Sequence, residues 1–263
     1  MPKTDSTRYT FVFATVVCVV CALLIAVSAV GLKPRQDLNA LLYRQKNVLL
    51  AGGLIQPDDE LSQRELLKTF VENIQVRLVD LATGEILPVG QPDPVAYDQR
   101  KARNDPEQSR PAPPNNAGVA RLPTYGTVYF VMKDGKVRLV VLPIEGAGMW
   151  GALYGFLALE PDGNTVRGLT YYDQKETPGL GGEIGNPKWL AVWNGRKVYN
   201  DRWEPQLTVI KGRAGPPDKD PLRVDGLSGA TITSNAVSRL TAFWMSNEGW
   251  GRFLKRLREG VQP

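Results

Sequence analysis

The sequence predicts one N-terminal transmembrane helix followed by a single α+β domain, in which helices pack on an antiparallel sheet. Three observations support this fold class. The stretch from Tyr9 to Leu32 carries no charged residue. Several later segments alternate between apolar and polar residues and are separated by turn residues, including the Asp134-Gly135 hairpin signal. Two segments near the C-terminus instead have the apolar spacing of helices, so strands and helices are segregated along the chain.

The uncharged stretch predicts a membrane anchor. Residues 11–32 are long enough to cross a bilayer of about 30 Å as a helix, and Lys33-Pro34 is predicted to end it. A cleavable signal peptide is the alternative, but its apolar region usually has only about 7–15 residues. Charges flank the span on both sides and do not fix its direction; they are Lys3 and Arg8 before it, and Lys33, Arg35, Arg44 and Lys46 after it.

Residues 33–58 are predicted to hold a linker helix, capped by Asp37 and ending near Gly52-Gly53. The main domain, residues 59–263, begins with a helix from about Asp59 to Phe70. Its inward residues are expected to be Leu61, Leu66, Leu67 and Phe70. Residues 74–80 alternate as a strand, and a turn at Ala82-Thr83-Gly84 leads into residues 85–87. Residues 90–123 are polar and rich in proline, so we expect a long excursion that buries little.

Four antiparallel strands are predicted after the excursion, at residues 127–132, 137–142, 153–159 and 165–172. Trp189 and Trp193 lie four positions apart, on a short helix or a strand. A late strand is expected at residues 206–211. The final helices are predicted to run from about 234 to 246 and from 250 to 258.

The composition excludes several classes of site. The chain contains no histidine, which excludes Ser-His and Cys-His nucleophile pairs, a histidine general base and a histidine-ligated metal. Its two cysteines, Cys18 and Cys21, lie inside the predicted span and are expected to pack there. If the chain moves electrons, its redox centre must therefore be a bound organic cofactor.

The net charge of +5 is spread along the chain, and no nucleic-acid-binding module is recognisable. The densest basic cluster lies at the C-terminus and comprises Arg252, Lys255, Arg256 and Arg258. We interpret it as a solvated helix face. Binding of anionic lipid or of an acidic partner subunit is the alternative.

The run from Asp225 to Thr231 has the most informative residue pattern. Gly226 and Gly229 permit a sharp turn and the close approach of a bulky group. We expect a helix to follow, capped by Thr233 or Ser234. The N–H groups and partial positive charge of its N-terminus would then lie close to a phosphate esterified to Thr231. An ordinary capped helix after a glycine turn is the alternative.

A second glycine-rich run extends from Glu176 to Ile184, with three glycines in the four positions 179–182. A loop with so little side-chain bulk can lie flat against a planar ligand, although an ordinary surface loop has the same composition. Trp150 lies in a third glycine-rich segment, residues 146–151, between two predicted strands. We expect it to line the ligand pocket, with core packing as the alternative.

Residues 176–184 and residues 225–231, which follow each other in this order along the chain, resemble the two signatures of the covalent FMN-binding domain family. The region after the span resembles that domain in the C subunit of the Na+-translocating NADH:quinone reductases. The resemblance implies FMN joined by a phosphoester to Thr231 and installed by a separate FAD:protein FMN transferase. The chain would then relay electrons in a respiratory complex that couples NADH oxidation by quinone to Na+ export. The implied cofactor-binding residues are Thr231, Ser228, Gly229, Ala230, Asp225, Glu176, Thr177, Leu180, Gly181 and Trp150. No catalytic acid or base and no metal ligand is implied.

The resemblance also implies partners and a location. The partners are the other subunits of the complex, the transferase during maturation, and membrane lipid. Residues 1–10 would lie in the bacterial cytoplasm, and the main domain in the periplasm. Three alternatives stay open: the homologous FMN subunit of an Rnf-type ferredoxin-linked complex, a flavin domain for extracellular electron transfer, and a non-enzymatic membrane-anchored ligand-binding module.

Overall fold

The computed structural model describes residues 7–88, 90 and 92–260. Residues 1–6 of the predicted cytoplasmic segment therefore lie outside the described residues. The chain divides into two compact units, with the division between Arg44 and Gln45.

Helix α1, Thr7–Ala51, is a single helix of 45 residues. Within the described part of the chain it is the one helix long and apolar enough to cross a membrane, which suggests a single-pass anchor. The prediction that Lys33-Pro34 ends this helix, and that another begins near Asp37, is wrong. Pro34 removes only one backbone hydrogen bond, and the helical stretches on both sides are long enough to continue past it. The end near Gly52-Gly53 is confirmed, because Gly53 adopts a φ of +64° just beyond the last turn.

Helix α2, Gln63–Asn73, begins four residues later than predicted because Ser62 caps it. Ser62 and Glu65 form a reciprocal capping box, which fixes the first turn. Leu66 and Phe70 are buried as expected, whereas Leu67 is exposed, contrary to the prediction. Strand β1, Ile74–Asp80, agrees with the prediction residue for residue.

The prediction that residues 90–123 bury little is wrong. This segment forms helix α3, Gln99–Asn104, and a two-stranded ribbon of β2, Ser109–Pro111, and β3, Arg121–Pro123. Leu122 is fully buried and belongs to the main core. The polar composition is accommodated by side-chain hydrogen bonds and ion pairs, including a bond of 2.6 Å between Arg103 and Glu145.

The main sheet is antiparallel, with the strand order β1-β4-β5-β6-β7. The four strands added to β1 are β4, Tyr125–Lys133, β5, Lys136–Ala147, β6, Ala152–Leu159, and β7, Val166–Asp173. The hairpin at Asp134-Gly135 is confirmed, and both residues have the positive φ that its turn requires. The chief difference from the prediction is the length of β5, which continues to the start of the third glycine-rich segment.

Short elements follow β7: helix α4, Pro187–Ala191, and the parallel strands β8, Thr208–Val209, and β9, Arg223–Val224. The predicted late strand at residues 206–211 is thus only two residues long. Trp189 and Trp193 are both buried, with ring centroids 5.5 Å apart.

Helices α5, Thr231–Met245, and α6, Gly251–Arg258, complete the described chain. The indole N–H groups of Trp244 and Trp250 donate to backbone carbonyls of β5, at Glu145 and Pro143, over 2.6 and 2.9 Å. These bonds attach the C-terminal helices to the sheet, and so position the start of α5.

Candidate functional site

The turn before Thr231 depends on two glycines. Gly229 has a φ of +71°, in the region that favours glycine. At Gly226 an added Cβ would lie 2.1 Å from the carbonyl oxygen of Ile210. The backbone N–H of Gly226 donates to the carbonyl of Gly212 over 2.8 Å. The turn is therefore packed closely against the preceding loop.

The prediction that Thr233 or Ser234 caps the following helix is wrong. Helix α5 begins at Thr231 with Ala230 at the N-cap, and among the described residues none caps it with a side-chain hydrogen bond. Thr233 and Ser234 are buried within the first turn, and their hydroxyls contact Glu176 and the backbone N–H of Leu227. The exposed Thr231 side chain therefore lies at the positive end of an uncapped helix.

A cavity of about 510 Å³ lies beside Thr231. Two cationic residues, Lys211 and Arg213, are among the lining residues, together with Asn235 at the second turn of α5. Besides Thr231, the rest of the lining comes from strand β8 and the loop after it, from the glycine turn, and from the first turn of α5: Val209, Ile210, Gly212, Asp225, Gly226, Leu227, Ser228, Gly229 and Ser234. Cations and a helix N-terminus at one cavity favour an anionic ligand.

Sequence reasoning missed Lys211 and Arg213. The only signal was the pair of basic residues flanking Gly212 in the loop before the motif. A loop of this composition is also typical of an ordinary solvated turn. The two side chains join the site through the turn contact between Gly226 and Gly212.

Glu176 connects the other two glycine-rich segments to helix α5. It is 4% exposed. One carboxylate oxygen accepts the backbone N–H groups of Met149 and Trp150, over 2.9 and 3.0 Å. The other accepts the hydroxyl of Thr233. The carboxylate thus faces protein groups and holds three separate segments together.

The glycines around Glu176 make room for these contacts. An added Cβ at Gly181 would lie 2.5 Å from the Thr233 hydroxyl oxygen, and at Gly148 it would lie 2.6 Å from a Glu176 oxygen. Leu180 links the two motifs, because an added Cβ at Gly229 would lie 3.0 Å from its Cδ2. The segments that the sequence suggested as one site are therefore adjacent.

Four apolar side chains are exposed on these segments. Trp150 is 63% exposed, so the alternative of core packing is wrong, although Trp150 is not among the lining residues of the 510 Å³ cavity. Met149, Leu180 and Ile232 are about half exposed. Exposed apolar side chains on adjacent segments are typical of a binding surface.

Asp225 and Thr177 lie at the edges of this arrangement. The Asp225 carboxylate accepts a hydrogen bond from the backbone N–H of Ala214 over 2.9 Å. The backbone carbonyl of Asp225 accepts a hydrogen bond from the indole N–H of Trp189 over 2.8 Å. Thr177 is exposed at the start of the glycine loop. Within the described ranges, no group of three or more carboxylate or thiol side chains could hold a metal ion.

The FMN-binding domain family matches residues 148–246, which include the runs 176–184 and 225–231 and all but the first two residues of the third glycine-rich segment. The chain is 43% identical to the C subunit of the Na(+)-translocating NADH-quinone reductase of Yersinia pestis, over 98% of this chain and 95% of that protein. It is 42% identical to the corresponding protein of Pseudomonas aeruginosa, over 99% of both chains.

Two solved structures have the same fold. The crystal structure of Shewanella oneidensis NqrC superposes with a TM-score of 0.74 at 32% identity, covering 82% of this chain and 96% of that one. The crystal structure of the C subunit of the Na(+)-translocating NADH-quinone reductase from Parabacteroides distasonis gives a TM-score of 0.65 at 26% identity, covering 88% and 98%.

Proposed function

The chain belongs to the NqrC family, the C subunits of the Na+-translocating NADH-quinone reductases, and from this premise we propose that it carries FMN as a phosphoester on Thr231. It is a subunit of that respiratory complex with an FMN-binding domain, and membership implies other subunits as partners. This assignment sets aside the Rnf-type complex, a flavin domain serving another acceptor, and a non-enzymatic binding module.

The position of Thr231 carries the proposal. Its side chain is exposed at the first position of α5, so a separate enzyme can reach the hydroxyl. FAD:protein FMN transferase would transfer the FMN half of FAD to this oxygen, with AMP as the leaving group and loss of the hydroxyl proton. Ser228, Gly229 and Ala230 form the turn that the transferase would recognise, and Asp225 would help it to bind or activate the site.

The phosphate of the product would keep one negative charge beside Thr231. The N–H groups at the start of α5 would stabilise it, and Lys211 and Arg213 would add opposite charge. The donor set therefore fits a phosphate diester at this place.

The ring system of FMN is planar and largely apolar, and it would bind against the exposed side chains of Met149, Trp150, Leu180 and Ile232. Thr177 and Gly181 belong to the loop that would flank the ring. Glu176 would support the site through its hydrogen bonds, which hold this loop, the Trp150 turn and α5 in one arrangement.

FMN supplies reversible electron uptake and release, and the protein supplies its position and electrostatic surroundings. The chain would pass electrons between redox centres of neighbouring subunits. We place residues 11–32 in the inner membrane with residues 1–10 in the cytoplasm. Residues 33–58 would lead to the periplasmic FMN-binding domain, residues 59–263, and lipid would surround the span.

The experiment that tests this proposal is in-gel flavin fluorescence, with intact mass, of the chain co-expressed with the transferase. We expect a fluorescent band, heavier by one FMN, that survives denaturation. Thr231→Ala should abolish the band and keep the fold, since this side chain is exposed. The matched control, Thr69→Ala on α2, should keep the flavin. A fluorescent band in Thr231→Ala would rule out the attachment site.

A further inference from the structure

A second cavity, of about 660 Å³, lies away from Thr231 and shares no lining residue with the first. Its lining is strongly basic, with Glu259 as its one anionic member; the cations are Arg202, Arg252, Lys255, Arg256 and Arg258. The neutral lining residues are Thr83, Trp203 and Asn247. The sequence pattern located four of these cations, and the fold adds Arg202 and makes the surface concave.

Stabilisation of helix α6 does not account for this arrangement. Cations in the last turn of a helix interact favourably with its dipole, and this explains Lys255, Arg256 and Arg258. It does not explain Arg252 in the first turn of α6, or Arg202 in a turn fifty residues earlier. Two distant segments therefore direct cations into one cavity, where their repulsion opposes folding unless an anion binds.

Existing ion pairs neutralise only part of this charge. Arg256 pairs with Glu85 over 2.9 Å, and Arg252 donates to the backbone carbonyl of Ala82. Among the residues that the structure describes, no carboxylate forms an ion pair with Arg202 or Lys255. Both side chains belong to exposed residues and are available to a ligand.

Trp203 supplies an aromatic surface within the same cavity. Its ring stacks on Tyr199 with centroids 4.3 Å apart, and the Arg258 guanidinium lies 4.2 Å from its centroid. The residue has a φ of +60°, which is rare for a bulky side chain. The backbone N–H of Arg202 donates to the Asn200 side chain over 2.9 Å, which holds the turn in this conformation.

We propose that this basic cavity docks a segment of a partner subunit that carries Asp and Glu side chains. Arginine and tryptophan are enriched at the energetic centres of protein interfaces, and guanidinium groups pair with carboxylates in a bidentate geometry. The chain belongs to a complex of several subunits, so the other subunits are available as protein partners. The inference rests on this membership, and it holds whether or not Thr231 carries flavin.

Carbodiimide cross-linking of the assembled complex tests the proposal directly, because the reagent joins an amine to a contacting carboxylate without a spacer. We expect peptide mass spectrometry to find Lys255 coupled to an Asp or Glu of a partner subunit. Lys255→Arg keeps the charge and should lose this link. Lys136, on the exposed hairpin, is the internal control and should stay unlinked. A complex in which Lys255 forms no link to another subunit would overturn the proposal.

Charge reversal provides the second measurement. In the complex purified through a tagged partner subunit at low ionic strength, Arg202→Glu/Lys255→Glu should reduce the retained chain about fivefold, since two charge pairs are lost under the condition in which they are least screened. The matched variant Lys136→Glu/Arg138→Glu makes the same charge change on the hairpin and should be retained like the wild type. Equal retention of both variants would contradict the proposal. So would loss of anionic phospholipid with all subunits retained, because the cavity would then bind a lipid headgroup.

Discussion

At the scale of single residues, Glu176 holds the site together. Its carboxylate accepts two backbone N–H groups and the Thr233 hydroxyl, although it is almost fully buried. Glu176→Ala would leave these donors without a partner and open a cavity. We expect a loss of about 2–4 kcal/mol in the free energy of unfolding and a sharp fall in the yield of covalent flavin. Thermal unfolding and in-gel fluorescence measure the two effects.

Glu176→Gln is the matched control, because the amide oxygen can still accept both backbone N–H groups and the amide N–H can donate to the Thr233 oxygen. It should cost about 1 kcal/mol and keep most of the flavin yield. Equal effects of the Ala and Gln variants would mean that the negative charge itself, rather than the hydrogen bonds, holds the segments.

The sequence was informative about which residues form the site and less so about their roles. The exposure of Thr231 at a glycine turn follows from the local pattern. The bond between Glu176 and Thr233 joins residues 57 positions apart, and local spacing carries no information about such a pair. For the same reason the local pattern predicts the cap three or four residues too late, since the Thr233 hydroxyl is used in a long-range contact.

At the scale of elements, helix α3 is attached to the sheet by a buried ion pair. Arg103 lies 2.6 Å from Glu145 on β5, and the Glu145 side chain is 8% exposed. Burial raises the pKa of Glu145, and the Arg103 guanidinium opposes that rise. Arg103→Ala would leave a buried carboxylate without its partner, so we expect a loss of about 3–5 kcal/mol.

Urea unfolding of the detergent-extracted chain measures this loss. Lys101→Ala on the same helix is the control, since its side chain is exposed, and it should change stability by no more than about 0.5 kcal/mol. Arg103→Met/Glu145→Gln removes both charges and should recover much of the stability. An Arg103→Ala variant as stable as the wild type would show that this ion pair contributes nothing to the stability of the fold.

The turn between β6 and β7 contains Asp162, and its hydrogen bonds predict that the stability of the fold depends on pH. Partial burial raises the pKa of Asp162, but hydrogen bonds from Thr165 and Asn164 and the charge of Lys197 outweigh it, so the pKa lies below its ordinary 3.8. The ionised group therefore stabilises the fold above that value, and the contribution is lost as the pH falls through the lowered pKa. Asp162→Asn keeps the turn and removes the charge.

We expect Asp162→Asn to cost about 0.5–1 kcal/mol at neutral pH, because solvent screens this half-exposed group. The difference in thermal midpoint from the wild type should shrink below pH 3.8. Asp134→Asn at the exposed hairpin tip is the control. A difference that grows as the pH falls would contradict the assignment of a lowered pKa.

Prediction of elements succeeded where local rules dominate. Strand β1 has clear alternation, and the Asp134-Gly135 turn needs the positive φ that these residues tolerate. It failed in two places where context decides. Pro34 does not end α1, since one lost hydrogen bond is small against a helix of 45 residues. Residues 90–123 bury Leu122 through contacts with distant strands, which composition does not reveal.

The charges around the predicted span do not fix which side of the membrane holds the FMN-binding domain. Basic residues flank the span on both sides, with Lys3 and Arg8 before it and Lys33 and Arg35 directly after it. Charge bias alone therefore gives no direction, and large domains can be translocated regardless of nearby charge. We predict a cytoplasmic N-terminus and a periplasmic domain, as the family resemblance implies.

Fusions to the C-terminus test this topology. Alkaline phosphatase is active only after export, and green fluorescent protein exported through the general secretory route stays dark. We expect an active phosphatase fusion and a dark fluorescent one. Deleting residues 7–32 is the matched control, because without the span nothing should direct export, and the two signals should exchange. A bright full-length fusion with inactive phosphatase would place the domain in the cytoplasm. In that case Thr231 would have to be modified by a transferase on the cytoplasmic side.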